Sequence, residues 1–264
     1  MIDVLLLRLA APLMSFGDVA VDARGPTRLF PTRSMLAGLC ANALGYTHHE
    51  PARTQALQTA LRFASRRDRA GEPLRDYQTV DLGQRDARGV AWMGDTGWTT
   101  RGAREDRGGG TAGDGTHIRE RFYLADALYT VALTLAPASD AAPDAPPTLD
   151  QLAVALTEPA RPLFLGRKPC LPSAPLLLGR VQAPSLLEAL AGVPLPRHGA
   201  AADGYLLAEW PDDAAEAGAA AVLAPASRRL AITDERDWTN QIHVGRRFVR
   251  EGLLRVGVAD AGRA

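Results

Sequence analysis

The chain has 264 residues, 46% of them hydrophobic, and its 30 basic side chains balance its 30 acidic ones, as expected of an ordinary soluble globular protein with room for one large domain or two small ones. The first residues, MIDVLLLRLAAPLM, carry no basic flank and are broken by Arg8 and Pro12, so neither a signal peptide nor a membrane span is expected there. The two cysteines, Cys40 and Cys170, lie too far apart for a CxxC zinc spacing and form no disulfide framework, so a reducing cytoplasm is expected.

Charge is unevenly spread. Residues 1–125 carry a net +3, residues 126–227 a net −6 and residues 228–264 a net +3. Basic ends around an acidic middle suit a protein with one face toward nucleic acid. Every basic residue but Lys168 is arginine. A GC-rich genome accounts for most of that bias. Its chemical consequence is a set of planar donors that fork onto phosphate and stack on bases but do not act as proton acceptors.

In chain order, Val4 to Leu9 reads as a strand, with Leu5, Leu7 and Leu9 on one face and Leu6 and Arg8 on the other. Ala11 to Pro31 has no periodicity and is expected to be a structured loop. A helix follows, with Thr32 as N-cap, an apolar face of Leu36, Leu39, Cys40 and Ala43, and Gly45 just past its end. Gln55 to Leu61 predicts a short second helix, and Leu61–Ser65 and Leu74–Val80 predict strands. Thr96 to His117 is rich in glycine and arginine, with little that could enter a core, and alone should be a flexible arm. Tyr129 to Leu135 alternates as a strand, and Pro137 to Pro147 is a proline-rich linker. Thr148 and Gln151 form a capping box for a further helix with Leu149, Leu152, Ala153 and Leu156 on one face. Leu163–Leu165 completes the order strand, helix, strand, strand, helix, strand, the pattern of ferredoxin-like and RRM-type α+β folds. Beyond it, Tyr205–Trp210, Arg229–Thr233, Val244–Val249 and Leu253–Val258 read as strands, the last two joined by a turn at Arg250, Glu251 and Gly252.

Three groups of residues could carry chemistry. Arg33 sits in the first turn of a helix, where the dipole disfavours a cation, with Arg28 just upstream. That placement makes sense if an anion such as phosphate docks on the free N–H groups; the other reading is a solvated surface arginine. In the arm, Trp98, Arg101, Arg104 and Arg107, followed by Arg119, Arg121, Phe122 and Tyr123, interleave cations with aromatics as single-stranded RNA requires. Gly166, Arg167, Lys168 and Pro169 make a tight basic turn without P-loop spacing. For catalysis the inventory is thin. GxSxG, HExxH and Walker motifs are absent, and of the five histidines His117, in the arm with arginines around it, is the best candidate for the general base of a metal-independent ribonuclease, the other reading being a loop histidine without a catalytic role.

Several segments, taken together and in order, resemble one family. They are LLLRLAAPLMSFG (Leu5–Gly17), RGPTRLFPTRSMLAGLCANALGY (Arg24–Tyr46), LRDYQTV (Leu74–Val80), RERFYLADALYTVAL (Arg119–Leu133) and PLFLGRKPCLPSAPLLLG (Pro162–Gly179). The resemblance is to the CasD-type subunits of type I-E CRISPR Cascade complexes, of the RAMP superfamily. It implies an RRM-like domain over residues 1–180 with the arm at 81–121 as a protruding thumb, and a smaller β-rich region over 181–264. It implies a subunit without catalytic residues, metal or cofactor that grips the 5′ handle of the CRISPR RNA. Its implied neighbours are the backbone and large subunits, with target DNA reached only through the complex. The RNA contacts implied are Met14, Phe16, Arg28, Arg33, Ser34, Tyr77, Trp98, Arg101, Arg104, Arg119, Arg121, Tyr123, Arg167 and Lys168. Two alternatives stand beside it: a guide-processing endoribonuclease of the type I-C kind, for which His117 is the candidate, and a scaffold whose arm binds protein.

Overall fold

The computed structural model describes residues 1–20, 23–81, 96–98, 104–106, 116–136, 145–195 and 204–256. The N-terminal part supplies strands β1 (Ile2–Ala10), β2 (Leu13–Met14) and β3 (Arg24–Gly25), helices α1 (Arg33–Ala43) and α2 (Pro51–Ala60), and strand β4 (Leu61–Arg69). Next come β5 (Glu72–Asp81), the short β6 (Thr96–Trp98) and β7 (Arg104–Asp106), β8 (Thr116–Ala125) and β9 (Leu128–Leu135). The rest comprises α3 (Leu149–Thr157), β10 (Leu177–Ala183), α4 (Leu186–Ala191), β11 (Tyr205–Pro211), a 3-10 segment (Ala214–Val222), β12 (Leu223–Ile232), β13 (Glu235–Asp237), β14 (Ile242–Val244) and β15 (Arg247–Arg255). It is a mixed, sheet-rich α/β fold. None of the described helices is long and apolar enough to cross a membrane.

One antiparallel seven-stranded sheet runs in the order β10-β1-β9-β4-β11-β15-β12. β1 lies inside it, so Val4 to Leu7 are buried on both faces. Leu5, Leu7 and Leu9 pack with Leu36, Leu39 and Cys40 of α1 and Leu152 and Leu156 of α3. Val4 and Leu6 look the other way, onto Leu186, Leu187 and Leu190 of α4. The period of two in the sequence thus separates two cores. Thr32 caps α1 by accepting from the Met35 N–H at 3.2 Å, and the Thr148–Gln151 capping box forms at α3.

The helix predicted at Gln55–Leu61 spans Pro51–Ala60, with Pro51 in its first turn. Three of the expectations fail for local reasons. Leu163–Leu165 is no strand: Gly166 takes φ +99°, and the Leu165 N–H and C=O go to Cys170 and Ser15 instead of a ladder. The apolar signal there is burial without pairing, and the strand that flanks β1 is β10. Arg250–Gly252 is no turn: β15 runs straight through it. A Cβ at Gly252 would stand 2.9 Å from Trp210 Cη2, so that glycine makes room for an indole rather than for a bend. Val244–Val249 is split at Gly245, φ +69°, between β14 and β15.

The arm begins as a ribbon. β5 and β8 pair residue for residue from Glu72↔Ala125 to Asp81↔Thr116, so the arm's C-terminal base, 116–121, is strand. β6 and β7 pair with each other, Trp98 opposite Arg104. The rest of the arm, including Arg101 and Arg107, lies outside the described residues.

The first four strands of the sheet and the C-terminal three meet at a two-residue pairing between β4 and β11. Beside it Arg66 is fully buried; its Nε donates to Asp68 Oδ1 at 2.5 Å and its Nη1 to the carbonyls of Leu190 and Val193. The guanidinium thus closes the C-terminal end of α4. Removing one partner of a buried ion pair costs about 3–5 kcal/mol. Asp68→Ala is therefore expected to lower the melting temperature by roughly 6–12 °C or more for a chain of this size. An unchanged thermal unfolding curve would show that this pair is not what fastens α4 to the sheet.

Candidate functional site

The N-terminus of α1 offers free N–H groups and the positive end of a dipole, and the protein fills it itself. Asp234 Oδ2 accepts the Arg33 N–H at 2.8 Å, and the Asp234 carbonyl accepts the Ser34 N–H at 3.0 Å. The same carboxylate takes both arms of Arg247, at 2.8 and 2.7 Å. The anion expected from outside is thus a buried side chain of the chain's own C-terminal part. Arg33 pairs with Glu235, and Arg28 Nη2 reaches Glu209 at 3.1 Å. Burial, and then the neighbouring Arg247, pull the Arg33 guanidinium below its usual value. Burial pushes the Glu209 carboxyl up to about 7 against the pull of Arg28 and Arg247. These two arginines, singled out in the sequence, clamp distant segments together.

The clamp lays the ribbon of β13 and β14 across α1 and α2. Gln58 of α2 accepts from the Arg236 N–H at 3.2 Å and from Trp238 Nε1 at 3.0 Å, and donates to the Arg236 carbonyl at 2.8 Å. Opposite the ribbon stands the basic turn. A Cβ on Gly166 would fall 1.6 Å from the Ser15 carbonyl oxygen, so only glycine lets the turn pack under that loop. Arg167 then donates to the Phe122 carbonyl at 3.0 Å and the Gly25 carbonyl at 2.7 Å, with its guanidinium 5.0 Å from the centre of the buried Tyr123 ring.

Between turn and ribbon lies a cleft of about 490 Å³, floored by Ser34, Gly38 and Asn42 of α1. Arg167 and Lys168 form one wall, and Arg236, Trp238 and His243 the other. Its cations differ from the arginines that face a carboxylate. Arg28, Arg33, Arg62, Arg66, Arg247 and Arg250 each face a carboxylate. Arg167 is held by neutral carbonyls, and Arg236 by the Gln241 side chain and carbonyl, at 2.8 and 3.2 Å. Arg236 Nε is buried without a partner, and Lys168 is exposed with no ion pair among the described residues. Positive charge is left uncompensated here, beside an indole.

The other expected residues divide. Met14 and Phe16 are buried in the core, Phe16 edge-on to Tyr129 at 5.1 Å. Tyr77 and Arg121 are exposed on the β5–β8 ribbon, and Arg119 is half-buried there. Trp98, Arg104 and His117 lie on described strands, but their side chains are outside the described residues, as is all of Arg101. Arg236, Trp238 and His243 were not singled out in the sequence. Their signal was a cation, an indole and an imidazole within eight residues of the basic C-terminal stretch.

Asp234→Ala would leave Arg247 buried without its carboxylate and α1 without its terminal anion, and is expected to destabilise the fold by about 3–5 kcal/mol. Urea unfolding measures this, and wild-type stability would contradict the clamp.

The likenesses to known proteins agree with this architecture. Residues 4–250 match the family described as CRISPR-associated protein (Cas_Cas5). The chain is 36% identical over 187 residues to the CRISPR system Cascade subunit CasD of Escherichia coli (strain K12), covering 70% of this chain and 75% of that protein. A chain of a solved CRISPR RNA-guided surveillance complex superposes with a TM-score of 0.67 at 28% identity, covering 98% of this chain and 95% of that one. A crystal structure of a Cas protein matches with a TM-score of 0.57, again at 28% identity, over 96% and 95% of the two chains. The chain belongs to the Cas5 family of CRISPR-associated proteins.

Proposed function

We propose that this chain is a non-catalytic RNA-binding subunit of a type I-E Cascade-like surveillance complex, and that it grips the 5′ handle of the guide RNA in the cytoplasm. The observation that carries this reading is the cleft over α1, where Arg167, Lys168 and Arg236 keep charge that no carboxylate among the described residues neutralises. A phosphodiester supplies the missing anion, and Trp238 offers a face to a base. Family membership and the likeness to a chain of an RNA-guided complex support the same assignment.

The strand order β10-β1-β9-β4, with helices in the β1–β4 and β9–β10 connections, supports reading residues 1–180 as a ferredoxin-like, RRM-type domain. Residues 181–264 are then the smaller β-rich region that extends its sheet. The β5–β8 ribbon, with Tyr77 and Arg121 exposed on it, is the base of a thumb that reaches guide bases and the neighbouring backbone and large subunits. Target DNA is met only through the assembled complex, and no cofactor enters the account.

The test is binding of a handle-bearing RNA by the full chain at two salt concentrations. Lys168→Ala and Arg236→Ala are each expected to weaken binding by about tenfold, as loss of a charge-assisted contact does. Each should also reduce the salt slope by about one. Wild-type affinity and slope in both variants would remove the cleft from the RNA path.

A further inference from the structure

The cleft does not end at Trp238. Beyond the indole lies a second cavity of about 370 Å³, bordered by Tyr46, Thr47, His48, Arg161 and Gln241. The two cavities share Gly38, Asn42 and Trp238, so they adjoin along α1 with the indole bordering both. Both volumes are in the range of small-molecule sites, roughly 300–1,000 Å³.

The second cavity repeats the chemistry of the first. Arg161 Nε donates to Asn42 Oδ1 at 2.8 Å and its Nη2 to the Tyr46 carbonyl, both neutral acceptors. Among the described residues, neither cavity is lined by an aspartate or a glutamate. The indole between them is fixed at its edge, where Nε1 donates to Gln58 Oε1 at 3.0 Å, and the main-chain N–H of Trp238 donates to Gln55 Oε1 at 3.3 Å. A Cβ at Gly38 would lie 3.4 Å from Trp238 Cη2, an ordinary contact, so the edge of the ring rests against this turn of α1. A rigid aromatic plate bordered by two acid-free cationic cavities, with the Arg236 guanidinium 5.4 Å from its ring centre, suits successive nucleotides of one strand, their bases stacked about the indole and their phosphates against Arg236 and Arg161.

We infer that the cavity beyond Trp238 is a second nucleotide subsite, which takes the residue of the bound RNA next to the one in the first cleft, with Trp238 as the stacking plate between them. This rests on the RNA-binding reading above.

The experiment walks a single 4-thiouridine through the 5′ handle of the RNA, crosslinks it to the full chain, and maps the peptides. Two adjacent positions are expected to divide, one reaching the peptide of Lys168 and the other the peptides of Tyr46–His48 or Arg161. Trp238→Ala should weaken binding by about 5- to 150-fold, the range for removing one stacking partner, whereas Trp238→Phe should stay within about threefold. Phe keeps a ring but loses the bond to Gln58, so a purely structural indole would make both variants equally weak, which overturns the inference. If wild-type RNA binding is salt-dependent but no crosslink reaches Tyr46–His48 or Arg161 and Trp238→Ala binds normally, the second subsite is refuted while the first cleft stands. If the wild-type chain binds no RNA, both readings fall.

Discussion

The carboxylate of Asp234 holds this structure in its working shape. It is buried at the N-terminus of α1, accepts a backbone N–H from the helix, and binds both arms of Arg247. A helix end and a buried guanidinium are each costly to leave unsatisfied, and one side chain answers both. Because Asp234 lies 201 positions after Arg33, the bond also decides where the C-terminal ribbon sits. The wall of the cleft, with Arg236, Trp238 and His243, exists because that ribbon is pinned over α1 and α2.

Pairing explains how a chain of zero net charge can present a surface for an anion. Among the described residues, many arginines are consumed by the fold. Arg66 closes α4, Arg28 and Arg33 anchor the loop and helix beside the cleft, and Arg250 and Arg229 share Asp212. Partners of this kind cancel the local field. Arg161, Arg167 and Arg236 are oriented instead by amide and carbonyl oxygens, which fix their position and leave the charge in place. Net charge therefore says less about binding than the identity of each cation's acceptor.

Much of the local structure was legible from the sequence, because its causes are local. The alternation in β1, the Thr32 cap with the Gly45 ending, and the Thr148–Gln151 box depend on residues a few positions apart. Glycine misled the reading where its role was set by contact rather than by turning, as at Gly252 under Trp210. The site was less legible for the same reason. Arg33 at a helix start does mark an anion site, but the anion is Asp234, and nothing near Arg33 in the chain reveals it. Conversely, Arg236 and Trp238 look like ordinary surface residues until Gln58, 178 positions away, places them over α1.

The central claim is that the chain holds guide RNA and leaves it whole. The most direct measurement mixes the purified chain with end-labelled repeat-derived RNA and follows both retention and length over time. The account predicts RNA that is retained at low salt, released as salt rises, and recovered at full length from the wild-type chain and from His117→Ala alike. A specific cut that His117→Ala abolishes would make the chain a guide-processing nuclease, and RNA that is never retained would remove it from the RNA path.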